Sequence, residues 1–229
     1  MADSSEKTED PTGKRLEEAR NKGQIARSRE LSTTLVLVAS SLMFLLFGSF
    51  IAEALFAISG RMFTLSRDET YDPTHMFSAW GVAISEVSVP VISFMLVSMI
   101  AGIYGSIALG GYNFTWYSAA PRFSKLNPLS GFKRMFGVNG LVELLKAFAK
   151  FFVIGAMALI SLSLFQDEAL HLDQEIYPLN IFHALDMIEW AFFLLTLGMV
   201  PIALFDVPYQ SYKHNEQMKM TKQQVKDER

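Results

Sequence analysis

LSTTLVLVASSLMFLLFGSFIA, residues 31–52, runs for 22 residues without a charge. About 20 apolar residues cross the roughly 30 Å hydrocarbon core as a helix. In lipid the backbone N–H and C=O groups must bond within the segment, so this stretch reads as a membrane-spanning α-helix. A second block, residues 87–121, is uncharged for 35 residues. Two more, 151–166 and 190–205, are uncharged for only 16 each, about 24 Å at 1.5 Å per residue. Lys146 and Lys150 extend the third block by laying their alkyl stems along it and sending their ammonium groups back to the interface. Residues 181–189 lengthen the fourth, with Asp186 and Glu189 near one surface. The expected fold is an all-α membrane protein. Four hydrophobic helices, about 31–58, 82–109, 141–165 and 184–205, form two helical hairpins. A long cytoplasmic loop, 110–140, joins the second and third, and a helical stalk follows from 206 to 229.

Lysine and arginine accumulate on the cytoplasmic side of membranes. The leader before residue 31 holds seven, the 119–140 loop four and the tail after Asp206 five, whereas the connection between the first two blocks holds only Arg61 and Arg67. Leader, central loop and tail therefore face one side, with both termini in the cytoplasm. The charged leader is too long for a secretory n-region and no small-residue cleavage site follows it, so the first block is expected to stay. The chain has no cysteine, which excludes disulfides and thiolate metal sites.

Residues 1–30 read as a polar arm with one short helix: Asp10 or Thr12 caps it, Pro11 suits its first turn and Gly23 its C-terminus. The tail, with Pro208 just past the membrane boundary, reads as the start of a helical linker that a further domain would continue. On the second block, Ser98, Gly102 and Ser106 form a small-residue row at four-residue spacing, which lets another helix approach closely. Pro90 removes the donor for the Glu86 carbonyl and is expected to kink that helix. Glu86 is the strongest candidate for an ion-linked or conformational role, although a structural bond to a neighbouring helix is the simpler reading. Glu143, Lys146 and Lys150 fall at i, i+3 and i+7 on one helix face, and interfacial snorkelling is their simplest account. The histidines, His75, His171, His183 and His214, lack metal-ligand spacing. No catalytic constellation is present, so neither enzymatic activity nor a cofactor is expected.

The 119–140 stretch, AAPRFSKLNPLSGFKRMFGVNG, holds four cations (Arg122, Lys125, Lys133, Arg134), no acid and three phenylalanines (Phe123, Phe132, Phe136). That is too basic for lipid and too apolar for an idle linker. Together with the leader EKTEDPTGKRLEEARNKGQIARSREL, the sequence LNPLSGFKRMFG (carrying Asn127 and Pro128) and the tail FDVPYQSYKHNEQMKMTKQQVKDER resemble the FlhB/SctU family, the export-switch subunit of bacterial type III secretion, in its flagellar form. Gly13 and Ala26 depart from prolines common in relatives.

The resemblance implies a membrane region that docks on the gate formed by FliP, FliQ and FliR at the flagellar basal body in the bacterial inner membrane. It implies a 110–140 loop that wraps the gate's cytoplasmic entrance. Phe123, Phe132 and Phe136 serve as anchors there, and Arg122, Lys125, Lys133 and Arg134 meet acids or helix carbonyl ends, on a path kept extended by Pro121 and Pro128. It also implies the export gate protein FlhA as a partner. Exported substrates and the hook-length control protein would be reached through a C-terminal domain that cleaves itself at Asn-Pro-Thr-His. That domain is not expected within this chain. Its nearest match here, Asp72-Pro73-Thr74-His75, lacks the asparagine nitrogen that attacks the backbone. Nucleic acid is not an expected partner. The rival readings are a small ion-coupled transporter or channel using Glu86 and the Glu143, Lys146, Lys150 row, and a plain membrane anchor.

Overall fold

A computed structural model of the chain describes residues 8–64, 66–113 and 138–227. Those residues are helical, apart from short connections and one two-residue bridge. Helix α1 is Gly13–Asn21, α2 Arg29–Phe63, α3 Arg67–Tyr71, α4 Pro73–Ile107, α5 Val138–His171, α6 Leu179–Met218 and α7 Lys222–Asp227. Four of them, α2, α4, α5 and α6, are long and apolar enough to cross a membrane. Three of them, α2, α5 and α6, are longer than their charge-free blocks, whereas α4 equals its block in length but begins and ends earlier in the chain. The difference is largest for α5, 34 residues, and α6, 40 residues, whose blocks read as short.

The caps explain several boundaries. Thr12 accepts the Arg15 N–H and starts α1, which leaves Pro11 just ahead of the cap and outside the first turn. Gly23, at φ 73°, ends it. Its N–H bonds the Arg20 carbonyl and the Gln24 N–H bonds the Ala19 carbonyl, a pairing that favours glycine because the residue sits in the left-handed region. Ser66 and Glu69 close a reciprocal capping box on α3. Asp72 accepts the Thr74 N–H at 2.8 Å and Pro73 opens α4, so the Asp-Pro-Thr-His sequence is a helix start. The Ser66 backbone N–H, followed by the Ser66 side chain, holds the Glu69 carboxyl below its ordinary range, and the Thr74 backbone N–H does the same for Asp72. α4 continues through Pro90, and α6 through Pro201 and Pro208.

The residues group into two compact units, to each of which the four long helices contribute. The first is drawn from Met1–Thr33, Ile103–Phe152 and Val200–Arg229. The second is drawn from Thr34–Gly102 and Val153–Met199. In the second, α2 meets both α4 and α6. Phe44 stands 4.9 Å from Phe94 and 6.1 Å from Phe192, ring centre to ring centre. Ser41, fully buried, shares a 2.9 Å hydrogen bond with Thr196. Each hydroxyl also reaches a carbonyl of its own helix, to which it donates, Ser41 to Val38 and Thr196 to Phe193, so neither is left unsatisfied in an apolar setting. α5 reaches α6 where Gly198 faces Met157 and Val153. At Gly48 the missing side chain makes room for the Glu189 carboxylate, which occupies the place of a Cβ.

The same unit holds Glu86. Arg61, expected in the connection, lies on the last turn of α2, and its Nη1 sits 2.9 Å from Glu86 Oε1. His75 Nε2 lies 3.1 Å from Glu69 Oε1 beside it, and the four side chains line one cavity of about 310 Å³. Arg61 is largely exposed, so Arg61→Ala is expected to lower stability by only about 0–1 kcal/mol. Thermal unfolding of the purified chain checks this.

Candidate functional site

The first unit contains the densest buried charge among the described residues, and its construction begins at the start of α2. Ser28 is 3% exposed; its hydroxyl oxygen accepts the Leu31 N–H at 3.0 Å and caps the helix. Its proton is directed elsewhere, into Asp206 Oδ2 at 2.6 Å. One side chain thus starts a helix and orients a carboxylate on α6.

Asp206 is 4% exposed and belongs to the interior of α6 rather than to its end. Besides Ser28 it receives Lys146 Nζ at 2.7 Å and Gln210 Nε2 at 3.2 Å, both on Oδ1. Lys146 also contacts Glu143 at 3.2 Å and sits 4.8 Å above the Tyr209 ring, an arrangement in which the ring face attracts the cation. One turn on, Lys150 meets Glu30 of α2 at 2.7 Å, and Glu30 is 9% exposed. A buried carboxylate is tolerated when a cation and further donors surround it. Three chain segments therefore converge on two ion pairs: the start of α2, the first third of α5 and the C-terminal half of α6.

The predicted row Glu143, Lys146 and Lys150 is thus brought together on one face of α5, with each lysine turned onto a carboxylate of another helix. Glu86 is apart from this node, in the pair with Arg61. Ser98 Oγ shares a 3.2 Å hydrogen bond with Ser40, and a Cβ on Gly102 would rest 3.6 Å from Val36, an ordinary contact. Ser106 falls on the same helix within the first unit. On α4 itself the tightest approach to α2 is at Gly105, where a Cβ would lie 2.7 Å from Ser32 Cα. Arg122, Phe123, Lys125, Asn127, Pro128, Phe132, Lys133, Arg134 and Phe136 lie outside the described residues.

The segments on either side of residues 114–137 are both fastened into this unit. On the α4 side, Gly110 packs on the Ala26 carbonyl and Ile25, Gly111 adopts φ 74°, and the Asn113 side-chain amide donates to the Arg20 carbonyl at 2.5 Å. On the other side, α5 is held by Lys146 and Lys150. Arg20, Gln24, Gly110, Ser211 and His214 line a cavity of about 700 Å³ beside the first attachment. Among the described residues, no group of three His, Asp or Glu side chains gathers in metal-binding geometry. The arrangement is one of closed charge pairs and packed backbone, suited to holding segments in place.

Ser28, Glu30 and Asp206 were not singled out from sequence. The available signal was complementary charge at block edges: a carboxylate closes the fourth apolar block, another opens the first, and two lysines border the third.

The model of the FlhB HrpN YscU SpaS Family matches residues 5–229. The Flagellar biosynthetic protein FlhB of Escherichia coli (strain K12) is 31% identical over 226 residues, 99% of this chain and 59% of that protein. The protein of the same name from Salmonella typhimurium is 32% identical over 230 residues, 100% of this chain and 60% of its own length. The Yop proteins translocation protein U of Yersinia pestis is 27% identical, covering 98% of this chain and 63% of that protein. The chain therefore spans about three fifths of the length of these curated relatives.

Proposed function

The chain belongs to the FlhB HrpN YscU SpaS family, and from that premise we propose that it is the membrane part of a flagellar type III protein-export apparatus. It acts as a non-enzymatic subunit of the inner membrane with both termini in the cytoplasm. Its 110–140 segment wraps the cytoplasmic entrance of the gate formed by FliP, FliQ and FliR, and it works beside FlhA. Exported substrates and the hook-length control protein are its further partners.

The observation that carries this reading is the fastening of both flanks of the basic segment. Asn113 and Gly110 secure one flank to the arm; Lys146 and Lys150 secure the other to Asp206 and Glu30. A segment tethered at both ends of one compact unit has a fixed span, as a strap must, and movement of α6 is passed through Lys146 to its far flank. The strap's cations and phenylalanines supply charge complementarity and apolar anchors for a protein surface.

Replacing Phe123, Phe132 and Phe136 with alanine is expected to cut co-purification with FliP, FliQ and FliR by tenfold or more, since each desolvated anchor is worth about 1–2 kcal/mol at an interface. Motility should fall with it. Unchanged complex yield and swimming would refute the strap. Crosslinks from Phe123 and Phe136 to lipid alone would do so as well.

A further inference from the structure

The stalk is not one helix. α6 ends at Met218 and α7 begins at Lys222, yet residues 209–227 contain neither glycine nor proline. Methionine, lysine and glutamine are good helix formers, and Thr221 is the one residue at the break with a poorer preference, by about 0.5 kcal/mol. Local sequence therefore favours continuity, and something else imposes the interruption.

What stands at the interruption is the N-terminal arm. Glu9 and Met220 form an antiparallel bridge, with the Glu9 N–H bonding the Met220 carbonyl at 3.0 Å and the Met220 N–H bonding the Glu9 carbonyl at 2.9 Å. Met220 is 2% exposed and Met218 7%, and the Thr12 hydroxyl lies 3.9 Å from the Met220 sulfur. The arm is itself held in shape by the Thr12 cap and the Gly23 turn. Thr221 and Gln224 exchange hydrogen bonds of 3.2 and 3.3 Å, a capping box that eases the restart of α7.

We propose that the arm is a clip on the stalk: main-chain pairing of Glu9 with Met220 holds the α6–α7 break, and release of the arm lets the two helices join through residues 219–221. An isolated two-residue bridge is marginal in water. Its two backbone bonds contribute on the order of 1–3 kcal/mol together, and the capping box about 1 kcal/mol. A continuous helix instead bonds the Met220 and Thr221 N–H groups to carbonyls four residues earlier. The two forms therefore lie close enough in energy for a modest displacement of residues 8–12 to switch them. This clip stands whether or not the 110–140 segment binds a gate.

The chain has no native cysteine, so nitroxides at Tyr212→Cys and Lys226→Cys, both exposed positions, report the break in the full chain in nanodiscs. Glu9→Pro deletes the N–H that bonds Met220. It is expected to move the distance distribution to one narrow peak near 21 Å between backbones, the rise of fourteen helical residues. Glu9→Ala keeps the N–H and should leave the parent distribution in place. Removal of residues 1–11, which spares the Thr12 cap, should reproduce the proline result. An unchanged distribution in both arm variants would show that the capping box alone makes the break. A broadened distribution would show fraying instead of joining. Either outcome overturns the clip.

Discussion

Asp206→Ala is expected to destabilise the chain by about 3–5 kcal/mol, the range for removing one partner of a buried ion pair. The loss does not come mainly from the Coulomb attraction that disappears. Lys146, whose side chain is 17% exposed, keeps its charge in a largely dry site with the exposed Glu143 as its remaining carboxylate and the Tyr209 ring beside it. The Ser28 proton and the Gln210 amide lose their acceptor at the same time. For a protein of this size the midpoint of thermal unfolding should fall by about 6–20 °C. The double variant Asp206→Ala with Lys146→Met removes both charges and retains most of the lysine's volume, so it should recover more than half of that fall. Equal melting of single and double variants would mean that the two residues are not coupled. The export consequence follows from the same node. With the Lys146–Asp206 pair gone, the flank of the 110–140 segment on α5 keeps Lys150–Glu30 as its remaining ion pair to another helix, and on the proposed export role motility should drop further than the folded yield does.

The sequence discloses the spanning segments of this arrangement and conceals where they end. The long apolar blocks revealed four spanning helices because hydrocarbon leaves the backbone no alternative. Their ends are hidden because a charge ends an apolar block without ending the helix. Lys146, Lys150 and Asp206 lie inside continuous helices, since each is neutralised by a residue more than fifty positions away, and single-chain periodicity carries no information about such a partner. Pro208 misled in the same direction. A proline costs one intrahelical bond, which packing and neighbouring polar groups absorb in membrane helices. The Glu143, Lys146, Lys150 spacing placed three side chains on one face correctly as geometry, but it did not reveal that Glu30 and Asp206 face them. The bridge at Met220 was invisible for the opposite reason, because local preference there favours helix and the arm overrides it.

The small-residue row shows the same gap in finer detail, and it yields a paired test. Gly102→Ala and Gly105→Ala are chemically identical changes three residues apart on α4. Each removes the excess flexibility of glycine and should raise helix stability by about 0.5–1 kcal/mol. At Gly102 the added methyl would lie 3.6 Å from Val36 Cγ2, an ordinary contact, so the gain should survive and the melting midpoint should rise by about 1–4 °C. At Gly105 it would lie 2.7 Å from Ser32 Cα and 3.3 Å from the Ser32 carbonyl oxygen. Those are backbone atoms of α2, one turn beyond Ser28, and they cannot swing aside as a side-chain tip can. Overpacking of this kind costs about 1–3 kcal/mol, so the sign reverses. Gly105→Val should be worse again, because a β-branched side chain has few rotamers with which to avoid α2. The register of α4 against α2 in this unit also determines where the chain leaves Ile107 for Gly110 and Asn113. A Gly105 variant that folds should therefore misplace the fastening of that flank and lower export. Equal melting of the two alanine variants would mean that α4 and α2 do not approach at Gly105.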